Sequence, residues 1–252
     1  MVPATYSRFE STSPRHGSRL KGRVASTHNR RSAPPRCRLR SGGGGPALHL
    51  AYQFGFNVTG VDLVPYNIQM ATENARGKHL DSEFIIGDAT QLPFTRDSFT
   101  ACTAIDALVY LPERNRVFAT VADTLEPEGV LVVSDLVMQS DVTETERRLV
   151  DSFADAWDMP SLGTVEGYKA ALDETSFELK AVEDITKHSV GRFRKWTTLY
   201  LQLLTSPLRA LIERLLGAYD LDPPAITEQV RKAHHALPFL RHVIFVAELE
   251  TT

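Results

Sequence analysis

A run of glycines ahead of an apolar segment could bind part of a nucleotide-like cofactor. The glycines are residues 42–45, and they stand directly before Pro46 and a short stretch with helical character. Glycines between a strand and a helix let a ligand approach the backbone and leave the first N–H groups of the helix free to hold it. Pro46 supports this interpretation, because proline is favoured at the first position of a helix. A flexible linker is the alternative explanation of the run.

Two acids follow the glycines at places where such a cofactor would need them. Asp62 ends the next predicted strand, where a Rossmann-type fold places the acid that binds ribose hydroxyls. Asp88 follows the strand after that, where a carboxylate can accept a hydrogen bond from the exocyclic amine of an adenine. A dehydrogenase would need nothing in particular at Asp88. Asp62 could instead be an ordinary surface residue at a strand end.

The elements that must position these residues alternate along the chain. The predicted strands are residues 56–62, 83–86, 99–105, 130–135, 177–185 and 242–248. The predicted helices are residues 47–54, 65–78, 114–125, 141–158, 164–174, 192–216 and 225–236. Alternation of this kind predicts an α/β fold with a parallel, doubly wound sheet and a ligand at the carboxyl ends of its strands.

As a set, these motifs resemble the class I S-adenosylmethionine-dependent methyltransferases, and within them the type 11 small-molecule group. The matching motifs are Gly42-Gly43-Gly44-Gly45-Pro46-Ala47, Val58-Thr-Gly-Val-Asp62, Gly87-Asp88-Ala89, Leu92-Pro93-Phe94, Asp97-Ser98-Phe99, Leu125-Glu-Pro-Glu-Gly129 and Val132-Val133-Ser-Asp135. The resemblance covers about residues 41–250. It implies a Rossmann-like, mostly parallel seven-stranded sheet with a helical insertion over residues 139–175 that caps the acceptor.

The resemblance also implies roles for individual residues. Gly42, Gly44 and Gly45 would face the methionine part of S-adenosylmethionine. The remaining cofactor residues would be Asp62 with Leu63 at the ribose, Asp88 with Ala89 at the adenine, and Ala104 with Ile105 on the sulfonium side. Residues 150–187 look most like enzymes that methylate sugar hydroxyls, rifamycin-like macrolactams or prenyl chains. The implied function is methyl transfer to a small organic acceptor at a hydroxyl oxygen, in secondary metabolism.

The general base of such a reaction has three candidates, Tyr110, Asp106 and Asp135. Close relatives carry paired histidines where this chain has Val109-Tyr110, and a histidine could take the proton of a hydroxyl. A phenol is a poor base near neutral pH, so Tyr110 could instead orient the acceptor or form an aromatic wall. Either aspartate could be the base, or only a cap or turn residue. Much of the catalysis can come from proximity, so a missing histidine does not exclude activity.

The acceptor pocket is predicted within residues 139–172. Its candidate apolar walls are Trp157, Met159, Leu162 and Tyr168. Ordinary core packing explains the same four residues equally well.

Residues 1–40 differ in kind from the rest of the chain. They hold ten Lys/Arg against Glu10 alone, which leaves 18 basic and 30 acidic residues in 41–252. We expect residues 1–40 to be disordered or to come from a misassigned start, and the methyltransferase domain to be residues 41–252. Their Arg/Ser-rich composition also fits a transit peptide, although no amphipathic helix can be drawn through the prolines.

Two residues of this segment bear on activity. Arg38 and Arg40 stand where the resemblance expects an acid that positions the cofactor's ammonium group and a glycine. This favours one alternative function, a catalytically impaired methyltransferase-fold protein with weak cofactor binding. A second alternative, an NAD-dependent oxidoreductase, shares the glycines and Asp62 but leaves Gly87-Asp88-Ala89 unexplained.

Composition limits the partners. The acidic body, with a net charge of −12 over residues 41–252, argues against a nucleic-acid-binding surface, which needs clustered Lys/Arg. No apolar run approaches the roughly 18 residues of a membrane span, so no membrane partner is expected. Cys37 and Cys102 alone favour a reduced, cytoplasmic protein. No metal site is expected, since His234-His235 has no further ligand at suitable spacing.

Overall fold

Seven strands form one sheet in this computed structural model, which describes residues 35–39, 41–160 and 162–250. In chain order the strands are β1 (Pro35–Leu39), β2 (Asn57–Asp62), β3 (Ser82–Ile86), β4 (Phe99–Ile105), β5 (Leu125–Met138), β6 (Phe177–Asp184) and β7 (Leu240–Leu249). Their order across the sheet is β3-β2-β1-β4-β5-β7-β6. Of these seven strands, β1 to β6 run in the same direction, and β7 runs antiparallel to them between β5 and β6. The predicted seven-stranded, mostly parallel α/β fold is confirmed.

Eight α-helices within the described residues cover both faces of the sheet. They are α1 (Gly45–Phe54), α2 (Pro65–Gly77), α3 (Arg114–Thr124), α4 (Glu144–Ala156), α5 (Val165–Asp173), α6 (Val190–Leu204), α7 (Arg209–Ala218) and α8 (Pro223–Ala236). Apolar residues of α1 and α2 pack on β2 and β3 in one buried cluster. Those of α3 and α5 pack on β4, β5 and β7 in the largest cluster. The third cluster joins α4 and α8 to the other face of β5 and β7.

The first strand corrects the predicted start of the folded region. Residues 35–39 belong to the sheet, between β2 and β4, whereas we expected residues 1–40 to lie outside the domain. Cys37 is fully buried there, opposite Cys102 of β4. The guanidinium of Arg36 lies 4.8 Å from the ring centroid of Phe56, so the side chain packs on an aromatic surface despite its charge. The arginines interrupt the apolar pattern by which a strand is predicted, but the strand forms nonetheless.

The predicted helix over residues 192–216 is wrong as a single element. The structure has α6 and α7, with Pro207 between them. Proline lacks the backbone N–H and clashes with the preceding turn, so a continuous helix is costly at this point.

Together with α8, these two helices form an insertion between β6 and β7. Since β6 is antiparallel to β7, it ends at the same edge as the parallel strands, and the insertion stands at that edge. In contrast, α5 of the predicted cap packs against α3 and β6. Within the described residues, no helix is both long and apolar enough to cross a membrane.

Candidate active site

The glycine loop joins β1 to α1 at the carboxyl edge of the sheet. Gly42 and Gly44 have φ values of 52° and 84°, a region that L side chains rarely adopt. The Gly44 N–H donates to the carbonyl of Ser41 at 3.0 Å, which closes a tight turn. A Cβ on Gly44 would lie 3.0 Å from the Ala71 Cβ, whereas one on Gly42 or Gly45 would meet no atom within 4 Å. Gly44 is therefore needed for packing, and Gly42 and Gly45 border open space.

The N-terminus of α1 fits the carboxylate end of an amino-acid cofactor. Gly44, the residue before the helix, contributes no side-chain cap, and the first turn holds no acid. The first N–H groups of a helix need acceptors and favour a negative charge. The open space beside Gly42 and Gly45 gives a ligand room to reach them. The loop therefore has room for the methionine part of S-adenosylmethionine, and contact with it stays a prediction.

Asp62 connects this loop to the end of β2. Its Oδ2 accepts a hydrogen bond from the N–H of Gly42 at 2.8 Å. Its Oδ1 accepts from the N–H of Val64 at 3.0 Å and from Nδ2 of Asn67 at 3.1 Å. The carboxylate is 3% exposed. Its first role is therefore to hold the glycine loop in place; contact with a ribose stays a prediction.

The end of β3 presents a second carboxylate in a different setting. Asp88 is exposed, and its Oδ1 accepts hydrogen bonds from the backbone N–H and the hydroxyl of Thr90, at 2.8 and 2.9 Å. These bonds hold the pKa of Asp88 below its ordinary value. Ala89 beside it is buried, and Leu63, at the end of β2, is exposed. Asp88 and Leu63 are therefore accessible at the edge where the adenosine part is predicted.

The residues after β4 divide into accessible and buried ones. Asp106 has a φ of 48° and an exposed side chain, and its N–H donates to the carbonyl of Ser134 at 2.8 Å. Tyr110 is half-buried and ends a single 3-10 turn, Leu108–Tyr110. Ile105 is half-buried, whereas Ala104 is fully buried in the core. The Ala104 side chain is therefore turned away from solvent at this edge.

Asp135, the third base candidate, is fully buried. Its Oδ2 accepts hydrogen bonds from the Leu108 N–H and the Tyr168 hydroxyl, both at 3.0 Å. Its Oδ1 has no hydrogen-bond partner among the described residues. Burial, with the nearby charge of Asp106, raises the pKa of Asp135 to about 7. Asp135 therefore joins β5 to the 3-10 turn and to α5, and an acceptor cannot reach it without a rearrangement.

Tyr168 does not line an acceptor pocket. It is fully buried, and its ring stacks on the ring of Phe245 with 4.9 Å between the centroids. The guanidinium of Arg114 lies 4.6 Å from the centroid of the Tyr168 ring. The other predicted wall residues, Trp157, Met159 and Leu162, border the α4–α8 cluster and are partly buried. Trp157 also contacts Phe193 of α6, edge to face at 6.5 Å. The predicted wall therefore continues into the α6–α8 insertion, which the sequence interpretation did not assign to the site.

A histidine that we did not predict lies behind Asp106. His242 of β7 has its Nε2 2.9 Å from the Ser134 hydroxyl and 3.5 Å from Oδ1 of Asp106. Its Nδ1 is 2.6 Å from the hydroxyl of Ser189. The signal available in the sequence is a histidine directly before the apolar run Val243–Ala247 of the closing strand.

The remaining predictions concern residues that are not at the strand ends or that lie outside the described residues. The side chain of Arg38 and all of Arg40 lie outside them, so their expected effect on the cofactor stays a prediction. Cys37 and Cys102 are both buried. Among the described residues, no group of three or more His, Cys, Asp or Glu side chains is arranged to hold a metal ion. His234 bonds through Nδ1 to the Thr197 hydroxyl at 3.0 Å.

Comparison with known proteins accords with this geometry. Residues 39–133 match the model of a methyltransferase domain family, and these residues include the glycine loop, Asp62, Asp88 and Asp106. This match makes the chain similar, over those residues, to the class I S-adenosylmethionine-dependent methyltransferases. S-Adenosylmethionine is the cofactor of this family, and the glycine loop and α1 N-terminus described above suit it.

Similar sequences cover only part of each protein. The methyltransferase GfsG of Streptomyces halstedii is 27% identical over 150 residues, which is 59% of this chain and 54% of GfsG. A sterol 24-C-methyltransferase of Kluyveromyces lactis is 30% identical over 149 residues, 57% of this chain and 40% of the relative. The chain thus spans about half the length of the curated relatives it matches.

Solved structures extend the likeness over most of the fold. A sarcosine dimethylglycine methyltransferase structure from Galdieria sulphuraria superimposes with a TM-score of 0.71 at 15% identity, covering 88% of this chain and 80% of that one. The cyclase SpnF gives a TM-score of 0.70 at 19% identity, with 88% and 76% covered. The same fold therefore occurs in proteins named for different reactions.

Proposed function

We propose that this protein transfers the methyl group of S-adenosylmethionine to a hydroxyl oxygen of a small organic acceptor. One observation carries the proposal: the adjacent strands β3, β2, β1 and β4 end in an exposed acid, a buried acid, an open glycine loop and a second exposed acid. Ligands of open α/β sheets bind at the carboxyl ends of the strands. The first three of these ends suit a nucleoside with an amino-acid tail, and the fourth suits the acceptor.

Each residue of the cofactor half has a separate task. The first N–H groups of α1 would donate hydrogen bonds to the methionine carboxylate, as the uncapped terminus supports. Asp62 keeps Gly42 in position through its 2.8 Å hydrogen bond, and Asp88 stays ionised to accept from the adenine amine. Bound there, S-adenosylmethionine supplies an electrophilic methyl group on a positively charged sulfur. Asp88 and Leu63 lie exposed at the same edge and would border the adenosine part.

Asp106 is the base that the geometry favours. It is the exposed one of the two aspartates, whereas Asp135 is buried beneath the 3-10 turn. With S-adenosylmethionine bound, the acceptor oxygen would take the methyl group as the carbon–sulfur bond breaks, and the Asp106 carboxylate would take the proton of the acceptor hydroxyl. Tyr110, the half-buried last residue of the 3-10 turn, would orient the acceptor.

The acceptor is a small organic molecule with an apolar part. Trp157 and Phe193 supply aromatic surface beside the insertion. Among similar proteins, one is named an O-methyltransferase and others sterol or phytyl-hydroquinone methyltransferases, which supports a small organic acceptor. A chain with only two cysteines, both buried, supports a reduced, cytoplasmic location.

Calorimetric titration tests the cofactor. Protein shown to be folded by circular dichroism is titrated with S-adenosylmethionine and, separately, with NAD. We expect binding of S-adenosylmethionine and none of NAD. No heat with S-adenosylmethionine would overturn the proposal.

Product analysis tests the reaction. A panel of phenols, sugar alcohols and prenyl alcohols is incubated with S-adenosylmethionine, and the products are identified by mass spectrometry. We expect a mass gain of one methylene on one acceptor class and release of S-adenosylhomocysteine. Binding without turnover across the panel would favour the catalytically impaired alternative.

A further inference from the structure

We propose that His242 is a positioning residue for methyl transfer, which holds the carboxylate of Asp106 toward the acceptor and shares its proton. This inference rests on the proposed function and adds a residue that lies far from Asp106 in sequence. It concerns the ring of His242, the hydroxyls of Ser134 and Ser189, and the carboxylate of Asp106.

His242 is fixed from several sides. Its backbone N–H donates to the Thr186 hydroxyl at 3.0 Å, and its carbonyl accepts from the Ile185 N–H at 2.9 Å. Its ring lies between the hydroxyls of Ser134 and Ser189, at 2.9 and 2.6 Å. The side chain is only 10% exposed. A ring held at both nitrogens has one orientation, and Nε2 then faces Asp106.

The two hydroxyl partners suit a ring that gains and loses a proton. A serine hydroxyl can donate or accept a hydrogen bond. Both ring nitrogens therefore keep a partner whether the imidazole is neutral or protonated. A structural histidine would need only one fixed tautomer, for which a backbone carbonyl would serve as well.

The carboxylate of Asp106 lies next to the fixed ring of His242. Its φ of 48° turns the chain sharply at the end of β4, and its Oδ1 lies 3.5 Å from Nε2 of His242. The same side chain is 58% exposed. The carboxylate thus lies beside the buried ring and is also accessible from the carboxyl edge of the sheet. A proton that it takes from an acceptor can therefore be shared with His242.

The charges around His242 are few. Burial lowers the pKa of His242 and the Asp106 carboxylate raises it. Ser134 of β5 and Ser189 before α6 contribute hydroxyls only. On the neighbouring strand, Asp184 pairs with Val243 and interacts with Arg241, and Lys187 and His188 are exposed in the turn that leads to α6. Asp106 is therefore the charge that His242 senses most directly.

Nuclear magnetic resonance of the histidine rings tests the coupling without cofactor or acceptor. The ring signals of His242, assigned with His242→Gln, are titrated in the wild type and in Asp106→Asn. Asparagine tolerates the left-handed backbone at this position, so the turn is retained. We expect the pKa of His242 to fall in Asp106→Asn, because the neighbouring negative charge is lost. The ring of His234 serves as the internal control and should titrate unchanged.

Kinetics then test the positioning role with an acceptor found in the panel. His242→Gln should lower kcat by roughly 10- to 100-fold and leave KM for S-adenosylmethionine unchanged. In an Asp106→Asn background the same change should have less than about a twofold further effect, because residues that act as a unit are not additive. His234→Gln, which also removes a histidine bonded to a hydroxyl, should keep wild-type kcat.

Two results would overturn the inference. One is an unchanged His242 titration in Asp106→Asn, and the other is a kcat loss that simply multiplies in the double variant. Failure of the wild type to methylate any acceptor would instead refute the proposed function, and the titration would still report on the pair.

Discussion

Two aspartates of the sheet are buried, Asp62 at the end of β2 and Asp135 within β5, and they differ in how their oxygens are used. Asp62 accepts three hydrogen bonds spread over both oxygens, two of them from backbone N–H groups. Asp135 accepts two bonds on one oxygen and leaves the other without a described partner. A buried carboxylate is stable as an anion only when donors replace water. Asp62 thus has donors on both oxygens, whereas burial raises the pKa of Asp135 to about 7, so that its carboxyl keeps its proton to a higher pH than an ordinary aspartate.

Removal of Asp62 should have the largest effect. Asp62→Ala leaves the Gly42 and Val64 N–H groups without their acceptor beneath the glycine loop. We expect a loss of about 3 kcal/mol in the free energy of unfolding, measured by urea denaturation. Asp88→Ala, at an exposed strand end, is the matched control and should change stability by less than about 0.5 kcal/mol. Equal losses would mean that burial does not distinguish the two acids.

The pH dependence of stability should reveal Asp135. Its folded-state pKa of about 7 lies above that of an unfolded aspartate, so the folded state binds the extra proton between these values. This contribution is complete below the unfolded pKa and is lost as the pH rises toward 7. Between pH 5 and pH 7 the wild type should lose about 2 to 3 kcal/mol more than Asp135→Asn. Parallel urea stability curves for the two proteins would contradict the assignment.

A pair of glycine variants separates packing from ligand space. Gly44→Ala places a Cβ against Ala71 at a positive φ and should cost about 2 kcal/mol of stability. Gly45→Ala points a Cβ into open space at the start of α1, so stability should hold or rise by up to about 1 kcal/mol. The affinity for S-adenosylmethionine should fall at least about tenfold in Gly45→Ala, by calorimetry. Wild-type affinity there would show that the cofactor does not use this space.

The smallest expected effect is at Asp88. Asp88→Asn should weaken S-adenosylmethionine binding by about tenfold, as for the loss of one charge-assisted hydrogen bond, with unchanged thermal stability. Because the Thr90 hydrogen bonds lower the pKa of Asp88, the ratio of the two affinities should stay constant between pH 5 and pH 8. If the ratio of the wild-type and Asp88→Asn affinities changed between pH 5 and pH 8, a group other than Asp88 would be the one that binds the adenine amine.

Local signals in the sequence predicted where several acids stand relative to the strands. An acid directly after an apolar run is visible in a short window, which is why the strand-end positions of Asp62, Asp88 and Asp106 could be predicted; their roles stay predictions. The first strand was missed because Arg36 and Arg38 break its apolar pattern, although Cys37 is buried and Arg36 packs on Phe56. Tertiary contacts overrode local composition there.

Distant contacts explain what the sequence could not give in the acceptor half. Asp135 is a buried clamp only because Tyr168 reaches it from 33 residues away. His242 meets Ser134 and Ser189, which are 108 and 53 residues distant in the chain. No periodicity reports such pairings, so Tyr168 was expected at a pocket wall and His242 was not considered.

The central place of β1 sets a limit on how far the chain can be shortened. The strand hydrogen-bonds to β2 on one side and to β4 on the other. A protein beginning at Ser41 would therefore expose two new strand edges in the middle of the molecule, and unpaired edges invite association with other chains. The expected product is an aggregate rather than a smaller enzyme, so useful truncations stop before Pro35.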